Sequence, residues 1–447
     1  MKIPTNPPDL EKIRKKYNGE KILEYLERDD VKKFIEHINK KYLYWDELKH
    51  RPVPKRTQED ILWLLVKLFR QYNAKVIQVS KVKNFTFTYN ITDWTQEKLH
   101  EFDLNLAGSL ESNTLIPSGD REKYLVSSIM EEAIASSQLE GAATTRDVAK
   151  KMLRTSRKPV DKNERMILNN YITIKKIIEL KDEKLTHQMI LDIHASITKG
   201  TLDDDKLEGK FRDTNDVYVI DPSTGETYYE PPDNKLIDQL IIDFCDFANE
   251  KTKIEFIHPI VKAIILHFLM GYIHPFVDGN GRTARAIFYW YLISKGYWLF
   301  EFTSISRTIV KSPSKYKKAY LFTERDNNDL TYFINYQIKT IDTALKDLKN
   351  YIAEQIKEKE DLFEVLKLEG INDRQIYLIK KFIENPKKTY TIYEVRNIFN
   401  VVYQTARTDL LDLEKSGFVT KKKIGKKKYL FFKSESFDNK INKLSKK

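Results

Sequence analysis

The sequence predicts a mainly α-helical chain with one isolated β-hairpin in its middle and a winged helix-turn-helix at its C-terminal end. Three observations carry this. Glycine and proline number only 14 each in 447 residues, which disfavours a turn-rich all-β design. Between residues 116 and 345, four long segments place apolar residues three and four apart, the period of a helix with one buried face. The last stretch orders helix, helix, helix, strand, strand.

Residues 1–115 form a mixed, mostly helical region. KKFIEHINKKY and EDILWLLVKLF have helical spacing, and VIQVSKVKNFTFTY alternates like two strands of a hairpin. The helical body, 116–345, contains REKYLVSSIMEEAIASSQLEG, NERMILNNYITIKKIIEL, NKLIDQLIIDFCDFANE and EFIHPIVKAIILHFLMGYI. Within it, residues 209–232 break the period, because VYVI and ETYYE flank the turn DPSTG and read as a projecting β-hairpin. A lone hairpin is marginal, so another segment is expected to use it. A charged helical linker follows at 346–370. The winged-helix domain spans 371–435, with Gln404–Lys415 as recognition helix, Arg407 near its exposed start and a lysine-rich wing at 421–428. Residues 436–447 read as a basic tail.

Composition bounds the function. Hydrophobic content of 41% suffices for sizeable cores. The longest unbroken apolar run, Ala286–Ile293, is far shorter than the roughly 20 residues of a membrane span. MKIPTNPPDL has no apolar segment behind its lysine, so a secretory signal is not expected and the cytoplasm is the expected location. The single cysteine, Cys245, lies in an apolar run and reads as a buried structural thiol. The net charge is +12, and residues 416–447 hold 11 lysines against Glu435 and Asp438, so any nucleic-acid argument belongs to that end. DNA binding and protein docking both remain open for it.

The chemistry concentrates in HPFVDGNGRTAR, residues 274–285, between two apolar helices. Gly279, Asn280 and Gly281 tolerate positive φ, so successive N–H groups can converge on an anion at the start of a helix. Arg282 and Arg285 add forked donors suited to phosphate. Asp278 is a hard oxygen ligand for Mg²⁺, which binds through one or two carboxylates plus substrate phosphates. His274 titrates near neutrality and stands where a general base could meet an incoming hydroxyl. Singly, each has a plain alternative: a helix-helix turn, a capping histidine, solvated arginines. Their combination within twelve residues favours a phosphate site.

These residues match the Fic motif His-x-Phe-x-(Asp/Glu)-Gly-Asn-Gly-Arg-x-x-Arg at every defining position. The resemblance covers about 116–345 and implies the all-helical Fic fold and transfer of AMP from ATP to a Tyr, Ser or Thr hydroxyl of a target protein. It implies that His274 deprotonates the target, Phe276 anchors the loop and Asp278 holds Mg²⁺. Gly279, Asn280, Gly281 and Arg282 would cradle the α- and β-phosphates, and Arg285 the γ-phosphate. Gly281 stands where related kinases carry lysine, which favours nucleotidyl transfer. The hairpin resembles the Fic flap, with Val217, Tyr218, Val219 and Ile220 as the edge that receives the target strand. Of the family's tyrosine pair near adenine, SKYKKAY keeps only Tyr316 at the aligned place.

Upstream, SSQLEGA fits the inhibitory pattern (Ser/Thr)-x-x-x-Glu-(Gly/Asn), with Ser136 and Glu140 one turn apart on a helix at about 127–141 and Gly141 as its stop. The resemblance implies that Glu140 pairs with Arg285 and holds the site idle; removal of AMP assisted by Glu140 is a second possibility. An alternative is a nucleotide-sensing, DNA-binding regulator, for which retention of His274 is not required. Dimerisation is common in the family and no feature of this sequence requires it. The target is not readable and could be the chain itself.

Overall fold

The computed structural model describes residues 3–107, 121–220, 225–251, 255–399, 401–423 and 429–444. The chain divides into two compact units, Met1–Ser112 with Leu125–Leu345, and Asn113–Tyr124 with Lys346–Lys447. Residues 3–107 therefore share a unit with most of the helical body. The physical reason is a buried ionic cluster that ties them to the helical body. Lys67 Nζ lies 2.8 Å from Asp326 and 3.4 Å from Asp329. Arg70 donates to Tyr332 Oη at 2.7 Å, and Tyr42 donates to Asp329 at 2.8 Å. Lys67 faces both carboxylates, and Arg70 also donates to Asn39 and to the Leu43 carbonyl, so the buried charges have partners, the condition for tolerating ions in an interior.

The first helices, Leu10–Lys16, Gly19–Glu27, Asp29–Lys41 and Glu59–Asn73, share a core that includes Val31, Ile35, Ile38, Leu62 and Trp63. The expected hairpin follows as antiparallel strands Lys75–Gln78 and Thr86–Tyr89, with Ile77 opposite Phe87. Its alternation has a use: Phe87 is buried and its ring lies 6.0 Å from Phe268 and 5.4 Å from Tyr272 on a central helix.

The centre is the helix pair Pro259–Ile273 and Asn280–Ser294, buried on nearly all sides, which is why both read as apolar all round. Pro259 sits in the first helical turn behind the cap His258, where its missing N–H costs nothing. Helices Arg121–Leu139, Lys162–Glu179, His187–Thr198 and Ile237–Ala248 surround the pair, and Cys245 is buried as expected. Strands Val219–Ile220 and Thr227–Tyr229 form the two-stranded hairpin; Val217 and Tyr218 lie outside its ladder, and 221–224 of the expected turn lie outside the described residues.

No helical break separates body from linker at 345/346. Thr331–Leu368 is one helix of 38 residues. In the second unit, helices Asp373–Glu384, Ile392–Phe399 and Tyr403–Lys415 precede strands Val419–Lys423 and Tyr429–Lys433. A short strand the sequence reading missed, Thr389–Tyr390, completes a sheet in which Tyr429–Lys433 is central and both neighbours are antiparallel. The expected basic tail is partly a helix, Phe437–Leu444: Phe437 is buried in this unit's core, and the apolar stripe of FDNKINKL outweighs its lysines. Residues 424–428 of the expected wing lie outside the described residues. No helix among the described residues is long and apolar enough to cross a membrane.

Candidate active site

The loop 274–279 begins where the first central helix ends. His274 caps that helix in the left-handed region, φ 49°. Its Nδ1–H donates to the Gly271 carbonyl at 3.1 Å, which leaves the lone pair on Nε2. Burial dominates its titration and lowers its pKa below the usual imidazole value, so the ring is a neutral base near pH 7.

Two residues that sequence reasoning passed over hold this loop. Arg212 donates through Nε to the His274 carbonyl at 3.0 Å, and its NH1 donates to the Thr214 carbonyl at 2.8 Å. It thereby couples the loop entrance to the base of the hairpin. His194 lies flat against Phe276, ring centroids 3.7 Å apart. Its Nδ1 accepts the Gly209 N–H at 3.0 Å, so Nε2 carries the proton and donates to the Asp278 carbonyl at 2.9 Å. Burial lowers its pKa to about 4, which keeps that tautomer neutral. The available signals were a histidine on an apolar helix face in ILDIHASI and an arginine directly before the hairpin.

Phe276 is fully buried. Asn280 serves the loop rather than an open cradle: its Oδ1 accepts the Phe276 N–H at 2.9 Å and its Nδ2 donates to the Phe276 carbonyl at 2.7 Å. Its side chain is thus committed, and only the backbone N–H is left for a ligand. Gly279 adopts φ 85°, and a Cβ there would press on Thr198 Cγ2 at 3.0 Å. The position demands glycine twice over. Asp278 accepts the Gly279 N–H at 2.5 Å and lies 3.5 Å from Arg282; its side chain is half exposed. Among the described residues no group of three or more His, Cys, Asp or Glu could hold a metal.

The arginines are buried and incompletely satisfied. Arg282 Nε and NH2, and Arg285 NH1, have no hydrogen-bond partner. Buried guanidinium donors without acceptors are costly and point to a missing anion. Three hydrogen bonds join Arg285 to the segment around residue 136. Its Nε donates to Ser136 Oγ at 2.8 Å, and NH2 donates to the Ser136 carbonyl at 3.0 Å and to Glu140 Oε1 at 2.8 Å. The helix ends at Leu139, so Glu140 belongs to the turn after it, and Gly141 at φ 94° completes the stop. Burial opposes ionisation of Glu140, yet the charges of Arg285 and Arg282 overcome it and hold its pKa below the ordinary value. A Cβ on Gly281 would collide with Glu140 Oε1, so this carboxylate rests directly on the glycine backbone.

Tyr316 donates to or accepts from His267 Nε2 at 2.8 Å and lines a cavity of about 220 Å³ together with Glu140, His274 and Gly281. Tyr320, four residues on and hence on the same helix face, lines it as well; the second tyrosine of SKYKKAY was the missed signal. The hairpin closes one side through Val219 and Tyr229, whose hydroxyl donates to the Tyr272 carbonyl at 2.8 Å. Tyr218 and Ile220 point outward, 48% and 50% exposed, and no third strand pairs with the hairpin among the described residues.

Residues 184–292 match the family described as Fic/DOC. Two relatives, each called Protein adenylyltransferase Fic, come from Nematostella vectensis, 29% identical over 43% of this chain, and from Aedes aegypti, 25% identical over 51%. This chain covers 42% of the length of each. A crystal structure of a Fic family protein from Desulfovibrio desulfuricans G20 covers 76% of this chain, and 94% of that one, at TM-score 0.49 and 17% identity.

Proposed function

We propose that this Fic-domain chain transfers the adenylyl group of ATP to a protein hydroxyl and is held idle by its own Glu140. One observation carries the reading: the unsatisfied donors of Arg282 and Arg285 surround Gly281, with a neutral histidine base at the loop entrance. That combination suits a polyphosphate whose α-phosphorus is attacked by an alcohol. The names of the relatives support the same chemistry.

In the step proposed, a Tyr, Ser or Thr hydroxyl loses its proton to His274 Nε2 as its oxygen bonds to the α-phosphorus. The bond from the α-phosphorus to the bridging oxygen breaks, and pyrophosphate leaves with that electron pair. The Gly281 and Arg282 backbone N–H groups, at the N-terminus of the central helix, stabilise the charge that develops on the phosphoryl oxygens. Arg285 holds the terminal phosphate once Glu140 yields it. The half-exposed Asp278 carboxylate fits a Mg²⁺ whose remaining ligands are phosphates and water; bound there, the ion would neutralise phosphate charge. The outward face of Val217–Ile220 suits strand addition by the target segment. Nothing among the relatives supports the alternative of a nucleotide-sensing DNA-binding regulator.

The second unit fits a winged helix-turn-helix serving as an accessory. Gln404 and Arg407 are exposed on helix Tyr403–Lys415, and Lys421, Lys422 and Lys423 are exposed on the following strand. This favours contact with phosphates of duplex DNA, which a gel shift with steep salt dependence would support.

The deciding experiment for the activity is label transfer from α-labelled ATP into lysate proteins by Glu140→Gly, followed by mass spectrometry of the modified side chain. Absence of label with ATP still bound would overturn the reading.

A further inference from the structure

Behind the helix Pro313–Arg325, away from the motif loop, lies a second and larger cleft of about 660 Å³. Besides Lys49, its ammonium groups come from three separate elements. Lys41 ends helix Asp29–Lys41, Lys315 and Lys318 belong to Pro313–Arg325, and Lys339 belongs to the long helix that starts at Thr331. All four are exposed.

The acidic members of the same wall are already occupied. Asp46 is paired with Lys49 at 2.6 Å and accepts the Thr5 N–H at 2.8 Å. Glu47 accepts the Tyr44 N–H at 3.1 Å. By contrast, Lys41, Lys315 and Lys318 have no ion-pair or hydrogen-bond partner for their ammonium groups among the described residues, and Lys339 only overlies the Trp94 ring at 5.6 Å. Four like charges line one concavity, and the one carboxylate there outside an ion pair, Glu47, leaves them in excess. Such an arrangement repels itself unless an anion occupies it, and a concave wall focuses the field. The volume lies within the range of small-ligand sites. Phe322 and Tyr336 supply a partly apolar floor beneath the lysines.

We propose that this cleft binds a small polyphosphate-bearing anion, at a site separate from the motif loop. Lysine ammonium groups act on phosphate as point charges and need no fixed fork geometry, so several of them from different helices can share one flexible chain of phosphates. The two sites share a wall: Tyr316 faces the motif cavity, Tyr336 faces the cleft, and their ring centroids are 6.0 Å apart. A nucleoside polyphosphate and inorganic polyphosphate share this chemistry, and the assay separates them.

The test is calorimetric titration of the full chain with inorganic tripolyphosphate at low salt. Saturable binding is expected, weakened at least about tenfold in Lys315→Glu/Lys318→Glu and equally in Lys41→Glu, which lies on a different helix. It should persist in Arg285→Ala, where the motif loop has lost its terminal-phosphate contact, and the lysine changes are to be read in that background. Binding unaffected by all three lysine changes, binding abolished by Arg285→Ala, or no binding at all would each overturn the proposal. ADP binding more tightly than tripolyphosphate in Arg285→Ala would name a nucleoside source; ADP binding no more tightly would name the phosphate chain alone. The readout is binding, so failure of the transfer activity leaves it intact.

Discussion

Replacing Glu140 with glycine should raise AMP transfer while lowering stability, and the opposite signs are what make the test sharp. The hydrogen bond that ties the carboxylate to the fold is the one it accepts from Arg285 NH2 at 2.8 Å, while Arg285 is 1% exposed and keeps two further bonds to Ser136. A hydrogen bond between charged groups contributes about 1.5–3 kcal/mol net, and Glu140, a quarter exposed, belongs toward the lower half of that range. Removing it should cost the fold about 1–2 kcal/mol. The same free energy is what a terminal phosphate must overcome to take Arg285, so its release should raise kcat/KM for ATP about 5- to 30-fold. Glu140→Gln, which keeps shape and loses charge, should fall between. The assay is label transfer from α-labelled ATP beside a thermal melt of the same preparations. A variant that is less stable yet no faster would refute the competition between carboxylate and phosphate, and unchanged stability would refute the contact itself.

Other outcomes follow from the same geometry. His274→Ala in the Glu140→Gly background should abolish label transfer while ATP binding, followed by calorimetry, persists. Burial lowers the His274 pKa, and Glu140 partly offsets this, so the acid limb of the pH–rate profile in Glu140→Gly should have its midpoint below 6.5. Glu140 has a lowered pKa, so its contribution is present above the ordinary carboxylate value and is lost as pH falls through the folded value; the melting-temperature gap between wild type and Glu140→Gly should therefore narrow as pH falls below the ordinary carboxylate range. Glu324, lining the motif cavity, has its pKa pushed up to about 8 by burial. A raised carboxyl pKa penalises the fold increasingly between the ordinary value and 8, so Glu324→Gln should stabilise by about 1–2 kcal/mol at pH 9 and little at pH 4, read from melts at both.

The site was more legible than the domain organisation, for a physical reason. Residues 274–285 are consecutive, so the positive φ of Gly279, the base and the two arginines leave one local pattern. Glu140 was legible because Ser136, four residues before it, and Gly141 mark the end of a helix. Arg212 and His194 left only weak traces, an arginine before the hairpin and a histidine on an apolar helix face. Each works through carbonyl oxygens, of His274 and of Asp278, and a carbonyl has no signature in sequence. The Lys67 cluster was likewise hidden, because its partners lie more than 250 residues away and only tertiary structure pairs them. The terminal helix Phe437–Leu444 was masked by its lysines, which lie on the outer face of an amphipathic turn.

On the proposed function, the unsatisfied donors bear on how Glu140 would hold the site idle. Glu140 supplies an acceptor to one nitrogen of Arg285, and Ser136 supplies two more, but Arg282 Nε and Arg285 NH1 remain without any, and Arg282 NH2 has only the Asp278 carboxylate at 3.5 Å. A single carboxylate cannot imitate a triphosphate: it brings two oxygens to a site with more donors than that. The idle state therefore keeps much of its affinity for polyphosphate, since ATP still gains every contact that Glu140 does not fill. What it loses is the position of the last phosphate, and with it the alignment of the α-phosphorus toward His274. On this reasoning the wild-type chain should bind ATP within about an order of magnitude of Glu140→Gly and differ from it mainly in turnover. Calorimetry of both chains with a non-hydrolysable ATP analogue, set against their transfer rates, separates this from simple exclusion, in which affinity and rate would fall together.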